Sequence, residues 1–416
     1  MVSAALFIFY FIALLFIVFR TARKKIYPFS FGEVTAIFSF RILLGCIYGY
    51  IFLKYYHGDD TWNFFNDSLL EHSKLINHPN VFIHDFLPNE AVKSARSFGE
   101  GINFYLKNLE YWSMVKLLAV FNLLSGNNYY LDVLLFNAVT CWGSFLLFKV
   151  LITLLPDKKN ILAICIFFIP SITFWLSGIR AEGLLLLFLA LLLYCTGKWM
   201  KEKKVVYLIS ILLALLGFII FRALYLVIFL PAYFGWILAC KGRLKPAFYF
   251  VTIYSSCILI FLASLIISPH KNLASPLVTR QAQFFALHGN TRLPLDTLTM
   301  SPSSFIKILP QAFENSFIRP FIWEAKGALQ WATSIEIFCF WILVGYFFVR
   351  FEKKQMPKHI QPFFLLFLFY GITQILIIGY IVPFPGAIVR YKVIPELFLI
   401  IYLTSTIRVN INYKNK

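Results

Sequence analysis

Runs of about twenty apolar residues recur from end to end of this 416-residue chain, and each is continuous rather than alternating. Inside a bilayer no water reaches the backbone. Only helices or closed barrels can satisfy the N–H and C=O groups of such runs, and barrel strands would alternate. The composition agrees, with 60% hydrophobic and 14% charged residues, against about 25% charged in a soluble domain. The expected fold class is an all-α polytopic membrane protein, one integral membrane domain over 1–416. About eleven transmembrane helices are expected, at 3–19, 31–53, 131–154, 160–176, 183–199, 205–220, 224–240, 247–267, 328–349, 361–381 and 393–407.

The loops orient this scheme. Segments 20–25, 156–160, 198–204, 240–245, 350–359 and the tail from Arg408 fall on one side. Together they hold 20 Lys and Arg against three acids, Asp157, Glu202 and Glu352. Short basic loops face the cytoplasm, so the N-terminus is expected outside and the C-terminus inside a bacterial cytoplasmic membrane. The same bias accounts for the net charge of +19. A nucleic-acid binder would gather its basic residues into one patch; here they are scattered, and no nucleic-acid partner is expected. The first apolar run is followed by its positive charge, Arg20 to Lys25, and reads as a span rather than a signal peptide. The seven cysteines lie in or at the ends of apolar runs without a CxxC pair, so neither a disulfide framework nor a thiolate zinc site is read.

Two long segments, 54–130 and 268–326, face the extracytoplasmic side in this scheme. The first opens on HGDDTWNFFNDS (57–68), directly after the second span. It ends in WSMVKLLAVFNLL (112–124), apolar at near-helical spacing but broken by Lys116 and Asn122, which reads as an interfacial helix. Acids and arginines collect at this face. His57, Asp59 and Asp60 follow the second span. Arg180 and Glu182 follow the fourth, in LSGIRAEG. Arg222 sits in a short hairpin between the sixth and seventh. Arg319 and Glu324 precede the ninth, and Arg390 and Lys392 precede the eleventh, after a tight turn at Pro385 and Gly386.

Charge at a membrane mouth costs free energy to place, so these groups are read first as a site. An arginine fork grips phosphate oxygens and stays charged. A carboxylate near an acceptor hydroxyl can take its proton. Together they suit sugar transfer from a lipid-phosphate donor. Plainer readings exist for each element. Asp59 and Asp60 can cap the helix that TWNFFNDSLLEHSKL begins, Arg180 and Arg222 can snorkel, and Arg319 with Glu324 can be an exposed ion pair of little worth. Arg41 and Glu336 lie within spans and need polar partners there. The external histidines His57, His72, His78, His84, His270 and His288 have no tight ligand spacing; they leave room for a divalent metal without requiring one.

The acid pair past an early span, the interfacial helix after it and the late second external segment resemble the GT-C superfamily of membrane glycosyltransferases. The likeness is to the protein O-mannosyltransferase and aminoarabinose-transferase branch. The strings PSITFWLSGIRAEGLLL (170–186), FIRPFIWEA (317–325) and GAIVRYK (386–392) are similar to stretches of bacterial multi-span proteins of surface-polysaccharide assembly. The resemblance implies an inverting transferase. Its donor would be a polyprenyl-phosphate-linked sugar, and its acceptor a glycan, lipid or protein met outside the membrane. Asp59 or Asp60 would be the base. Arg180, Arg222, Arg390 and Lys392 would bind donor phosphate, and His57, Glu182, Arg319 and Glu324 would orient the reactants. Trp62, Trp175 and Trp323 could stack on sugar rings. One rival is a polysaccharide polymerase of the O-antigen type acting on lipid-linked repeat units. Another is a lipid or solute transporter, which would place its polar residues near the bilayer midplane on broken helices.

Overall fold

The computed structural model describes residues 2–84, 86–87, 98–267, 272–289, 291–350 and 357–407. His270, most of the basic segment 350–359 and the tail from Arg408 lie outside these residues. Every regular element among the described residues is helical. In chain order the main helices are α1 (Val2–Lys25), α2 (Phe31–Lys54), α3 (Asp60–Asn77), α4 (Pro79–His84), α5 (Phe98–Ser125), α6 (Tyr129–Leu154), α7 (Pro170–Ser177) and α8 (Ala181–Glu202). There follow α9 (Val205–Lys241), α10 (Pro246–Ile267), α11 (Ser275–Phe285), α12 (Pro302–Phe313), α13 (Ala328–Arg350), α14 (Gln361–Ile381) and α15 (Pro385–Thr406).

Eight of these, α1, α2, α6, α8, α9, α10, α13 and α14, are long and apolar enough to cross a membrane. The stretch from Pro156 to Ser177, bent by 50° ahead of Pro170, adds a ninth if taken as one span. The chain is thus an integral, multi-pass membrane protein whose apolar helix faces meet lipid. The eleven expected spans and these eight differ at three places. The run at 160–176 is the bent stretch. The runs at 205–220 and 224–240 are the two helical stretches of α9, joined through a non-helical break at Arg222, where φ is −160° and ψ 70°. The run at 393–407 lies in α15, which also holds Arg390, Lys392 and Glu396 and is too charged for the same test.

The chain groups into two units, Met1–Leu226 and Val227–Lys416. In the first, α8 packs along α6, α2 lies against α6 and α7, and α3 packs on α5. Local chemistry sets the helix starts. Ser30 and Glu33 form a capping box for α2, Asp59 caps α3 and the Asn128 side chain caps α6. Between α2 and α3 the chain turns through two left-handed residues, His57 (φ 54°) and Gly58 (φ 95°), the latter donating its N–H to Phe52 at 3.0 Å. Any other residue at position 58 would be strained. Helix α5 begins at Phe98, well before the expected 112. The two residues that broke its apolar pattern are the ones that pin α3. Lys116 pairs with Glu71 at 2.5 Å, the two side chains 4% and 2% exposed. Asn122 Nδ2 donates to Ser68 Oγ at 2.9 Å.

In the second unit α14 and α15 pack tightly, with Phe367 stacked on Phe398 at 4.0 Å. Gln281 on α11 ties three backbone groups, donating to Asp296 O and Tyr380 O and accepting from Leu298 N. Pro385 stands in the first turn of α15, where its missing N–H is harmless and its φ is already helical. Arg390 therefore lies within a helix, not on the tight turn expected of it.

Glu71 also pairs with Lys74, so removing Glu71 is the change that strips the buried Lys116 of its carboxylate, while removing Glu71 and Lys116 together leaves no such charge. Glu71→Leu is expected to cost about 3–5 kcal/mol, and Glu71→Leu with Lys116→Met distinctly less. Thermal unfolding in detergent of the two variants checks this.

Candidate functional site

Two chain junctions in the first unit meet. One is the turn from α2 into α3, which carries Asp59 and Asp60. The other is the turn from α7 into α8, where Arg180 is the residue before the first helical turn, with extended backbone (φ −152°, ψ 164°). Asp59 is held by its own cap, its Oδ1 accepting from the Thr61 N–H at 3.3 Å.

The guanidinium of Arg180 spends its donors on this meeting. Nη1 donates to Asp60 Oδ2 at 2.7 Å, and Nη2 grips both carboxylate oxygens of Asp59. Nε donates to the Tyr48 hydroxyl on α2. Arg180 is 4% exposed. Burial works to lower its pKa, but Tyr48 and the charges of Asp59, Asp60 and Glu182 outweigh it and hold the guanidinium well above its ordinary value. The two acids differ in access: the Asp59 side chain is 17% exposed and that of Asp60 57%. Asp59 thus caps α3 and binds Arg180 through the same Oδ1, while Asp60 is joined to Arg180 through Oδ2.

Glu182, buried in the first turn of α8, extends the cluster. Its Oε1 lies 3.7 Å from Nη2 of Arg222, whose Nη1 pairs with Glu110 on α5. Arg222 sits at the break in α9, where the chain leaves helical conformation. Beside Asp60, the Tyr111 hydroxyl donates to Asp67. Burial, the Asp67 carboxylate and the Asp60 charge push the Tyr111 phenol up, so it stays a donor. Aromatic rings line the same end. Tyr48 packs on Phe174 and Trp175, and Trp62 is stacked on Tyr129 at 3.9 Å with its Nε1–H on Gly49 O. His57 is exposed two residues before Asp59.

The remaining expected site residues belong to the second unit. Arg319 donates from Nε to Glu314 at 2.8 Å and lies 3.5 Å from Glu324. Lys392, 3% exposed, pairs with Glu396 one turn on at 3.4 Å. Arg390 Nη2 donates to the Tyr391 hydroxyl at 2.6 Å. Trp323 is stacked on Phe321 and 80% exposed. Among the described residues no three His, Cys, Asp or Glu side chains gather closely enough to hold a metal ion.

Three contributors escaped the sequence reading: Tyr48, Glu110 and Tyr111, whereas Asp67 stood out with the other acids after the second span. Tyr48 lies in an apolar run and Glu110 near the start of an aromatic stretch, so neither carried a signal beyond being polar in such company. No family model, no curated protein and no solved structure matches the chain.

In chemical terms the cluster holds an acid with access to its surroundings, Asp60, beside a second acid that is clamped. It also holds more carboxylates than guanidiniums: Asp59, Asp60, Glu110 and Glu182 against Arg180 and Arg222. The two aspartates should separate by stability. Asp59→Ala removes a helix cap, worth about 1 kcal/mol, and uncovers the buried Arg180, for a total expected near 3 kcal/mol. Asp60→Ala, at an exposed pair, should cost under about 1 kcal/mol. Parallel thermal melts in detergent measure the difference.

Proposed function

We propose that the chain is a membrane glycosyltransferase that moves a sugar from a polyprenyl-phosphate-linked donor to an acceptor hydroxyl on the extracytoplasmic side, with Asp60 as general base. The observation that carries the choice is the asymmetry of the acid pair. Both oxygens of Asp59 are gripped by Arg180 and one also caps α3. Asp60 stands on the first turn of the same helix, joined to Arg180 through one oxygen and 57% exposed. A general base must reach the proton it takes, and Asp60 is the acid with reach. Asp59 and Arg180 hold it in register.

The excess of carboxylate in the cluster supports the acceptor end of the chemistry. Glycosyl transfer passes through an oxocarbenium-like sugar with developing positive charge, and fixed negative charge nearby favours it. The same excess disfavours a phosphate beside Arg180, each of whose three nitrogens is already engaged. Arg222, at the helix break and 16% exposed, is the guanidinium placed to meet the donor phosphate, by exchanging Glu110 for phosphate oxygens. Trp175 and Trp62 belong to the aromatic wall against which a sugar ring can stack. The orientation with the N-terminus outside, and the eleven-span scheme, form part of the same proposal. The transporter reading draws less support from the first unit, where Arg41 is 4% exposed and bonded to neutral acceptors.

The test is release of polyprenyl phosphate from polyprenyl-phosphate hexoses by the protein in nanodiscs, with and without glycan acceptors. Asp60→Asn should lower kcat by about 10²–10⁴-fold while the protein melts like wild type. An Asp60→Asn variant with undiminished release would overturn the assignment.

A further inference from the structure

Arg41 lies in the middle of α2, in a helix apolar enough to span the membrane, and is 4% exposed. A charge at that depth is costly unless its hydrogen bonds are made inside the protein. Arg41 makes them without a carboxylate. Nε donates to Asn137 Oδ1 at 2.8 Å, Nη2 to Thr140 Oγ1 at 3.1 Å and to Leu176 O at 2.7 Å, and Nη1 reaches Ser144 Oγ at 3.4 Å. Asn137, Thr140 and Ser144 lie on successive turns of α6, so Arg41 joins α2 to one face of that helix. Its fourth partner is of another kind. Leu176 and Ser177 are the last two residues of α7, whose final carbonyls have no partner within the helix. Arg41 takes Leu176 O, and Asn137 Nδ2 takes Ser177 O at 2.7 Å. A guanidinium at a helix C-terminus also meets the negative end of the helix dipole.

Three residues further on stands Arg180. The chain between has little freedom. Ile179 is fully buried, a side chain on Gly178 would come within 2.8 Å of the Tyr48 ring, and one on Gly183 within 2.8 Å of Leu176 O itself. Fixing the end of α7 thus fixes where the guanidinium of Arg180 falls, and with it the two acids. We propose that Arg41, with Asn137, is a positioning residue for the Arg180–Asp59–Asp60 cluster, acting through the C-terminal carbonyls of α7. The inference deepens the functional reading above and, for its catalytic meaning, rests on it. The mechanical link does not.

The experiment is a thermal double-mutant cycle on the full chain in detergent. A residue that only stabilises the bundle adds its loss to that of a distant mutation, whereas one that positions Arg180 makes the two losses depend on each other. The first pair is Arg41→Lys with Asp59→Asn. Lysine keeps the charge but cannot make a fork of bonds. The loss of Tm caused by Asp59→Asn should shrink by about half or more in the Arg41→Lys background. The same loss caused by Glu71→Gln, a residue outside this network, should be unchanged there. Asn137→Ser with Asp59→Asn is the second pair and serves the same cycle should Arg41→Lys not fold. Additive losses in a folded pair overturn the proposal. Where release of polyprenyl phosphate is measurable, Arg41→Lys should lower kcat and leave the donor KM within about twofold. If no release is found for any variant, the functional reading fails, and the thermal cycle still decides the role of Arg41.

Discussion

A single guanidinium holds together parts of the chain 120 residues apart. Arg180 reaches Asp60 from the junction of two helices, and its other donors close on Asp59 and Tyr48. A buried arginine is stable only where its donors are occupied and opposite charge is near. The surroundings of Arg180 supply both, and the consequence is geometric as much as energetic. The planar fork fixes the angle between the acids, so the turn after α2 and the turn before α8 cannot drift separately.

The same rule, that polar groups within an apolar bundle must find each other, recurs across the first unit at different depths. Lys116 and Glu71 join α5 to α3. Arg41 joins α2 to α6 and to the end of α7. Arg222 joins the break in α9 to α5 and lies beside α8. Apolar contacts alone would leave these helices free to slide, since a lipid chain competes with a leucine for the same surface. The polar joints specify register. Where such a joint meets a helix end, as Arg41 meets Leu176 O, it also satisfies a carbonyl that the helix leaves without a partner.

Much of this was legible in the residues, and the losses have physical causes. Continuous apolar runs announced helices, because their length and lack of alternation have no other stable outcome in a bilayer. Asp59, Asp60, Arg180 and Glu182 stood out as charges at the ends of such runs, and they do come together. The partners did not stand out. Tyr48 is an ordinary aromatic in an apolar run until an arginine arrives 132 residues later. Glu110 looks like one acid among several in a polar segment. Lys116 and Asn122 were visible only as interruptions of an apolar pattern, and interruption is what a buried polar joint looks like when its partner is out of sight. Arg222, expected in a short hairpin, does stand where the chain leaves helical conformation, whereas Arg390, expected on a turn, lies within a helix. Composition marks where a charge is, but whether the backbone around it continues as helix depends on packing that no single segment contains.

The bonding of Arg41 also bears on how the chain enters the membrane. Its side-chain partners arrive 96 to 103 residues after it and its carbonyl partner 135 residues after it. Until α6 and α7 have been made, α2 carries a bare arginine, which opposes insertion of an isolated helix by about 2.5–3.5 kcal/mol at its centre. The remaining residues of α2 are apolar enough to outweigh that term. The bonds that settle Arg41 within the bundle nevertheless exist only once α6 and the end of α7 have been made, so an early helix depends for its polar partners on residues far downstream.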